Sequence, residues 1–324
     1  MGIFEEALRA RGTLVLDGAF ATELEKYGCD LKDPLWSAKV LFEAPELVKK
    51  VHLSYLAAGA DIVESAGYQA TVEGFEAKGF SHEEAVELVK LSVKVAVDAR
   101  DAFVVARDSG AREIEGFAIE GRNLEKPLVA ASVGPYGAYL ADGSEYKGYE
   151  TAVTTEFLAD FHRERLALFA SESPDLFGCE TIPSLVEAKA LIEVLADDEV
   201  SKGIPAWISF SCKDEKYTCG GNLISDCAKL IDGADSIVGI GINCTEPKYV
   251  TSLIREIRAV TDKAIFVYPN TGEHYDEINK CWYGEADAFD AFSKEWHAAG
   301  ANVLGGCCRT SPENIRRIAD WVHV

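Results

Sequence analysis

No apolar run in this sequence approaches the length of about twenty residues that crossing a bilayer requires, and its opening, Met1-Gly2-Ile3-Phe4-Glu5-Glu6, lacks the basic start and apolar stretch of a secretory signal. A cytoplasmic protein is the expectation. Positive charge is also scarce: 32 Lys and Arg stand against 54 Asp and Glu, a formal net charge of -22. Nucleic acid and anionic membranes need clustered cations to meet their phosphates, so neither is an expected partner. Cationic or zwitterionic small molecules suit this charge better. No Pro- or Gly-rich linker divides the 324 residues, of which 48% are hydrophobic and 27% charged, so residues 1–324 read as one domain with a substantial core. No signature of oligomeric state is present. A Gly-rich phosphate turn is missing after the first apolar run, where Leu16-Asp17-Gly18 is followed by Ala19-Phe20-Ala21-Thr22, which removes the dinucleotide fingerprint of a doubly wound sheet.

What is present is a regular alternation. Short apolar runs at Thr13 to Asp17, Ala60 to Gly67, Leu128 to Pro135, Pro174 to Thr181, Pro205 to Cys212, Ser236 to Cys244, Ala264 to Gly272 and Ala301 to Cys308 are separated by amphipathic stretches such as Glu83 to Arg107. Eight strand and helix units in a chain of this length predict an α/β fold, a single (β/α)8 barrel of the TIM type. Such a barrel gathers its chemistry at the C-terminal ends of its strands. Those ends carry Asp17, Glu64 with Tyr68, Ser132, Glu180 with Thr181, Ser211, Asn243 with Cys244, Asn270 with Glu273, and Cys307 with Cys308.

Nine cysteines, an odd number, in a chain without a leader point to reduced thiols in metal or catalytic use rather than to a disulfide framework. Three of them close strands: Cys244 ends Gly241-Ile242-Asn243-Cys244, and Cys307-Cys308 follow Gly305-Gly306, whose freedom would let the chain turn and bring both thiols to one metal. The sixth and eighth strands open onto one rim, so a zinc site at the ends of strands 6 and 8 is predicted. Three thiolates leave a fourth tetrahedral position open and make zinc a weak Lewis acid, unsuited to activating water. A substrate thiol fits that position, since coordination deprotonates a group whose ordinary pKa is near ~8.5.

The whole chain resembles the homocysteine S-methyltransferases. The likeness runs through Leu16-Asp17-Gly18-Ala19-Phe20-Ala21-Thr22-Glu23-Leu24-Glu25, Asp33-Pro34-Leu35-Trp36-Ser37-Ala38, the segment from Ser132 to Tyr146, Tyr268-Pro269-Asn270-Thr271-Gly272-Glu273-His274-Tyr275-Asp276 and the cysteine pair. These stretches look like the branch that uses S-methylmethionine. The resemblance implies one Zn2+ per chain on Cys244, Cys307 and Cys308, with Asp17 and Glu180 holding the ammonium group of L-homocysteine. It implies substrate contacts at Thr22, Asn243, Asn270, Glu273 and Tyr139 as well. The implied reaction is a direct displacement in which the metal-activated homocysteine thiolate attacks the methyl carbon of a sulfonium and methionine departs. No general acid or base is needed, and His274 reads as a loop residue.

The family opens with Asp-Gly-Gly where this chain has Asp17-Gly18-Ala19, a methyl group at the first rim turn. Tyr136, Tyr139, Tyr146, Tyr268, Tyr275, Trp282 and Tyr283 are the aromatic faces available to an onium donor. Cys29, Cys179, Cys212, Cys219, Cys227 and Cys281 are assigned to packing or solvent. S-adenosylmethionine and selenium analogues are further candidate substrates. Competing readings are a betaine- or methyltetrahydrofolate-dependent homocysteine methyltransferase and a non-enzymatic zinc or thiol redox sensor built on the vicinal Cys307 and Cys308.

Overall fold

The computed structural model describes residues 2–31, 33, 35–119, 125–149, 153–272, 274–276, 281–283 and 289–323, with side chains for all of these except 274–276, 281–283 and 290. Eight parallel strands form one sheet: β1 (Leu14–Val15), β2 (Ile62–Glu64), β3 (Leu128–Val133), β4 (Leu176–Ile182), β5 (Ala206–Phe210), β6 (Ile237–Asn243), β7 (Ala264–Tyr268) and β8 (Val303–Leu304). Their hydrogen-bonded order is β1-β8-β7-β6-β5-β4-β3-β2. A parallel bridge from Leu16 to Ile62 joins β1 to β2 and closes the barrel.

The principal helices are α1 (Ile3–Arg11), α2 (Phe20–Lys26), α3 (Pro45–Ala58), α4 (His82–Asp108), α5 (Thr155–Ser171), α6 (Leu185–Leu195), α7 (Ile224–Asp232), α8 (Pro247–Arg258), α9 (Phe289–Ala299) and α10 (Pro312–Val322). One crossover helix from α3 to α9 lies between each pair of successive strands, and α10 follows β8. Local chemistry fixes several starts. Ser81 opens α4 with a capping box to Glu84, Thr154 accepts the Phe157 N–H at the head of α5, and Asn314 Oδ1 accepts the Ser311 N–H at 2.9 Å ahead of α10. Thr245, ahead of α8, serves the sheet instead of a helix start. Its hydroxyl donates to Asn243 O and accepts the Cys212 N–H, tying β6 to the end of β5.

Covered on both faces, the middle strands read as continuous apolar runs; every residue of β3 is buried. Inside the barrel, Leu16, Ile62, Leu176 and Trp207 pack with Phe266, whose ring stacks on Trp207 with centroids 4.6 Å apart. Phe4 of α1 closes the floor, its ring 5.3 Å from Phe266. Buried Asp61 joins the two ends of the chain there: it accepts from Arg11, from the Val15 N–H at 2.8 Å and from His323 Nε2 at 2.9 Å. A larger apolar layer fills the space between sheet and helices.

The outermost runs of the sequence overshoot their strands. Regular pairing in β8 ends at Leu304, although Gly305 N–H still reaches Val267 O at 2.9 Å and Gly306 N–H reaches Asp17 O at 3.0 Å. Beyond it the chain bends into the rim.

Candidate metal centre and active site

Cys244 leaves the end of β6 in the left-handed region, at φ 47°, and Cys307 and Cys308 follow β8. The Sγ atoms of Cys244 and Cys307 are 2.7 Å apart, and each lies 4.0 Å from that of Cys308. All three fall within 4.8 Å of one another, a group that could hold a metal ion. Tetrahedral zinc, with Zn–S distances near 2.3 Å, calls for sulfurs about 3.8 Å apart. Two pairs meet that spacing within a few tenths of an ångström, and the third would open by ~1 Å, so the donor set fits. The vicinal pair is not the closest one; Cys244 with Cys307 is.

Three non-glycine residues at this rim hold left-handed backbone: Thr181 (φ 60°), Cys244 and Arg309 (φ 70°). Each such residue costs on the order of 1–3 kcal/mol and persists only where its surroundings fix it. Asn243 fixes the first, its Oδ1 accepting the Thr181 N–H and its Nδ2 donating to Thr181 Oγ1, both at 2.8 Å. Thr22 holds the third by accepting the Arg309 N–H at 3.3 Å. Thr310 Oγ1 donates to Cys307 O at 2.6 Å and accepts the Ala19 N–H at 3.1 Å, locking the cysteine turn to the turn after β1.

The glycines before the pair serve closeness rather than turning. Neither has a left-handed φ; a Cβ on Gly305 would stand 2.7 Å from Leu16 Cβ, and one on Gly306 would stand 2.5 Å from Thr310. The Ala19 methyl is accommodated, since that residue sits at φ -61°, open to any L-residue.

The electrostatics separate Cys244 from the other thiols. Burial pushes the thiols of Cys179, Cys212, Cys219 and Cys227 up, to about 11 for Cys219 and about 12 for Cys227, which keeps them protonated as packing groups. Cys244 moves the other way. Hydrogen bonds from Cys307 and Cys308, then from the Tyr146 and Thr181 hydroxyls, hold it well below the ordinary thiol range, while Cys307 and Cys308 rise as they share that charge.

Beside the sulfurs stand three carboxyls. Asp17 is buried; its Oδ2 accepts the Glu64 N–H at 2.9 Å, and its Oδ1 has no partner among the described residues. Glu180, also buried, accepts from the Ser132 hydroxyl. Glu64 is half-buried, with Oε1 enclosed and unpartnered among the described residues. Burial, reinforced by their neighbours, raises all three above the carboxylate range, Glu180 to about 8. Sulfurs and carboxyls together form an acidic cluster that an organic ammonium and a divalent cation would complement.

Asp17, Glu180 and the three cysteines thus converge as the sequence predicts. Thr22 and Asn243 are occupied in bracing the rim. Asn270 donates its N–H to Thr245 O at 3.2 Å and keeps a buried, unpartnered Oδ1 among the described residues. Tyr139 is half-buried, stacked on Tyr136 at 5.9 Å and close to Phe161 at 5.5 Å. Tyr268 is no rim aromatic: it lies fully inside the barrel, donating to Ser209 at 2.8 Å and accepting from Trp207 Nε1 at 2.9 Å. Glu273 lies outside the described residues, as do the side chains of His274, Tyr275, Cys281, Trp282 and Tyr283. The reading of the sequence places Glu64 only as a strand end and gives the Thr181 hydroxyl no contact with sulfur; position at a strand terminus is the one signal both carry.

A closed (β/α)8 barrel with three clustered thiols and buried carboxyls at its C-terminal rim has the architecture of a barrel enzyme. More particularly, the chain belongs to the homocysteine S-methyltransferase family, whose profile matches residues 14–322. Homocysteine S-methyltransferase YbgG of Bacillus subtilis (strain 168) is 48% identical over 314 residues, covering 96% of this chain and 94% of its own. Homocysteine S-methyltransferase 1 of Zea mays is 46% identical over 325 residues, covering 98% and 97%. Among solved structures, the metallated form of the Escherichia coli homocysteine methyltransferase MmuM superposes with a TM-score of 0.82 at 38% identity, covering 98% of both chains. The chain is accordingly a methyltransferase acting on homocysteine. No helix among the described residues is long and apolar enough to cross a membrane.

Proposed function

We propose that this protein transfers a methyl group from S-methylmethionine to the thiol of L-homocysteine at a zinc ion held by Cys244, Cys307 and Cys308, the whole of residues 1–324 serving as one homocysteine-binding barrel. The observation that carries the reading is the confrontation of three sulfurs within 4.8 Å of one another with the raised carboxyls of Asp17, Glu64 and Glu180. When bound, zinc supplies the positive charge that lowers the substrate thiol's pKa into the neutral range. Asp17 and Glu180 receive the substrate ammonium through charge-assisted hydrogen bonds, Asp17 with its unpartnered Oδ1. Holding the amino end fixes where the sulfur points. Asn270 offers its enclosed Oδ1 to the same substrate, while Thr22 and Asn243 act by bracing the rim. Glu273 is assigned by the family resemblance alone.

In the reaction a new S–C bond forms as the donor's S–CH3 bond breaks, and the bonding pair remains on the departing sulfur. That sulfur leaves neutral, as methionine; the homocysteine thiol gives its proton to solvent as it ionises, so none moves in the displacement itself. The reading assigns the onium donor to Tyr146, which interacts with Cys244, and to the stacked pair Tyr136 and Tyr139, each aromatic contact worth about 0.5–2 kcal/mol. The free thiols fit a reducing compartment, the cytoplasm.

Zinc-loaded protein assayed with homocysteine and, in parallel, S-methylmethionine, S-adenosylmethionine and betaine is expected to form methionine from S-methylmethionine. Turnover on betaine alone would overturn the donor assignment. Cys244→Ala, Cys307→Ala and Cys308→Ala are each expected to lose zinc and at least ~100-fold in turnover, whereas Cys227→Ala keeps its zinc.

A further inference from the structure

Behind the loop that follows β3 lies a buried polar chain that the chemistry above does not use. Gly134, Pro135, Tyr136 and Gly137 turn the strand into a short helix, Tyr136–Leu140, and leave three backbone groups without partners in sheet or helix. Each is met by one connected set of side chains. Arg165 donates to Gly134 O at 2.6 Å and to His162 Nδ1 at 2.8 Å. His162 Nε2 lies 3.0 Å from Glu187 Oε1, which also accepts the Tyr136 N–H at 2.7 Å. Tyr149 donates its hydroxyl to Glu187 Oε2 and accepts the Gly137 N–H at 3.2 Å.

The direction of every bond follows from chemistry. A guanidinium only donates, so Nδ1 of His162 must accept, and the ring proton sits on Nε2 facing Glu187. A neutral imidazole then separates Arg165 from the Glu187 carboxylate. His162 and Glu187 are fully buried and Arg165 nearly so. Burial, with Arg165 adjacent, also holds His162 below its ordinary pKa, which suits the neutral ring. The opposite face of the same loop looks into the site: the Tyr146 hydroxyl reaches Cys244, and the Ser211 hydroxyl fixes Glu145 O at 2.6 Å. Arg165 also lies over the Phe161 ring, 5.3 Å from its centroid, and Phe161 packs on Tyr136 and Tyr139.

We infer that Glu187, His162, Arg165 and Tyr149 are positioning residues that set the loop from Gly134 to Tyr149, and with it Tyr139 and Tyr146, for the methyl donor. The inference rests on the methyl-transfer reading for its kinetic arm only. Tyr149→Phe removes a single hydroxyl from a half-buried ring and is the mild variant; Glu187→Gln retains an acceptor for Tyr136, and Glu187→Ala retains none. Tyr149→Phe is expected to raise KM for S-methylmethionine by about tenfold or more, with KM for homocysteine and zinc content within twofold of wild type. Glu187→Gln should be intermediate between wild type and Glu187→Ala.

Hydrogen exchange followed at the Tyr136 and Gly137 amides supplies the arm that needs no turnover. Both amides should lose at least about tenfold of their protection in Tyr149→Phe and Glu187→Gln while strand β4 keeps its own. Unchanged donor KM with unchanged exchange, or donor and acceptor KM rising together, would overturn the inference. Failure of wild-type protein to use any sulfonium donor would count against the proposed function, and the amide exchange would still decide the positioning role.

Discussion

Asp17 shows how a single side chain carries both architecture and chemistry. One carboxylate oxygen accepts the Glu64 N–H across the β1–β2 seam, and the other is enclosed without a partner among the described residues. Burial, with Glu180 nearby, makes its negative charge unfavourable until a cation arrives. Asp17→Asn retains an acceptor for the N–H but loses the charge that meets an ammonium. Its KM for homocysteine is therefore expected to rise roughly 10- to 100-fold, the equivalent of a charge-assisted hydrogen bond of about 1.5–3 kcal/mol, while zinc content stays at the wild-type level. Steady-state kinetics with homocysteine varied at saturating donor, alongside metal analysis, checks this. The rim placement of Asp17, Glu180 and the three cysteines was legible because each lies at or next to the end of an apolar run, and strand ends in a barrel meet. The bracing roles of Thr22 and Asn243 were not legible, since they arise from left-handed backbone at Arg309 and Thr181 that no composition or spacing reports.

At the scale of elements, the alternation of apolar runs and amphipathic stretches located all eight strands, and the stretch from Glu83 to Arg107 became the long helix α4 within a residue at each end. Strand limits were less visible. The runs of β1 and β8 include Asp17 and Gly305-Gly306, whose place is the rim. Gly305 and Gly306 read as hinges, yet their role is to let β8 and its turn approach Leu16 and Thr310. Inside α3, His52 is another feature the pattern conceals: it occupies an apolar position, stacks on Phe20 at 5.2 Å and has neither ring nitrogen hydrogen-bonded among the described residues. Burial lowers its pKa from 6.5 to about 3. Between those values the unfolded chain binds a proton at this residue and the folded chain does not, so folding stability falls as pH falls through that window. This site accounts for at most about 1.4 kcal/mol per pH unit. Urea titrations of wild type and His52→Leu at pH 7, 6 and 5 are expected to diverge accordingly, the variant losing less stability on acidification. Parallel pH dependence in the two proteins would show that His52 is not buried in its neutral form.

For the whole molecule, the site exists only because the barrel closes. Cys244 and the pair Cys307 and Cys308 are separated by more than sixty residues, and β7 stands between their strands. Closure at the opposite end rests on Asp61, which gathers Arg11, Val15 and His323 and so joins the first helix to the last. Chain ends and the cysteine cluster therefore lie at opposite mouths of one sheet. The central claim is that three sulfurs drawn together by this topology hold zinc and leave one position for the sulfur of homocysteine. X-ray absorption at the zinc edge of the reduced, loaded protein tests it most directly. Three sulfur neighbours at about 2.3 Å are expected in the free enzyme and four once homocysteine is added. An unchanged sulfur count with homocysteine bound, or zinc coordinated by fewer than three protein sulfurs, would contradict it.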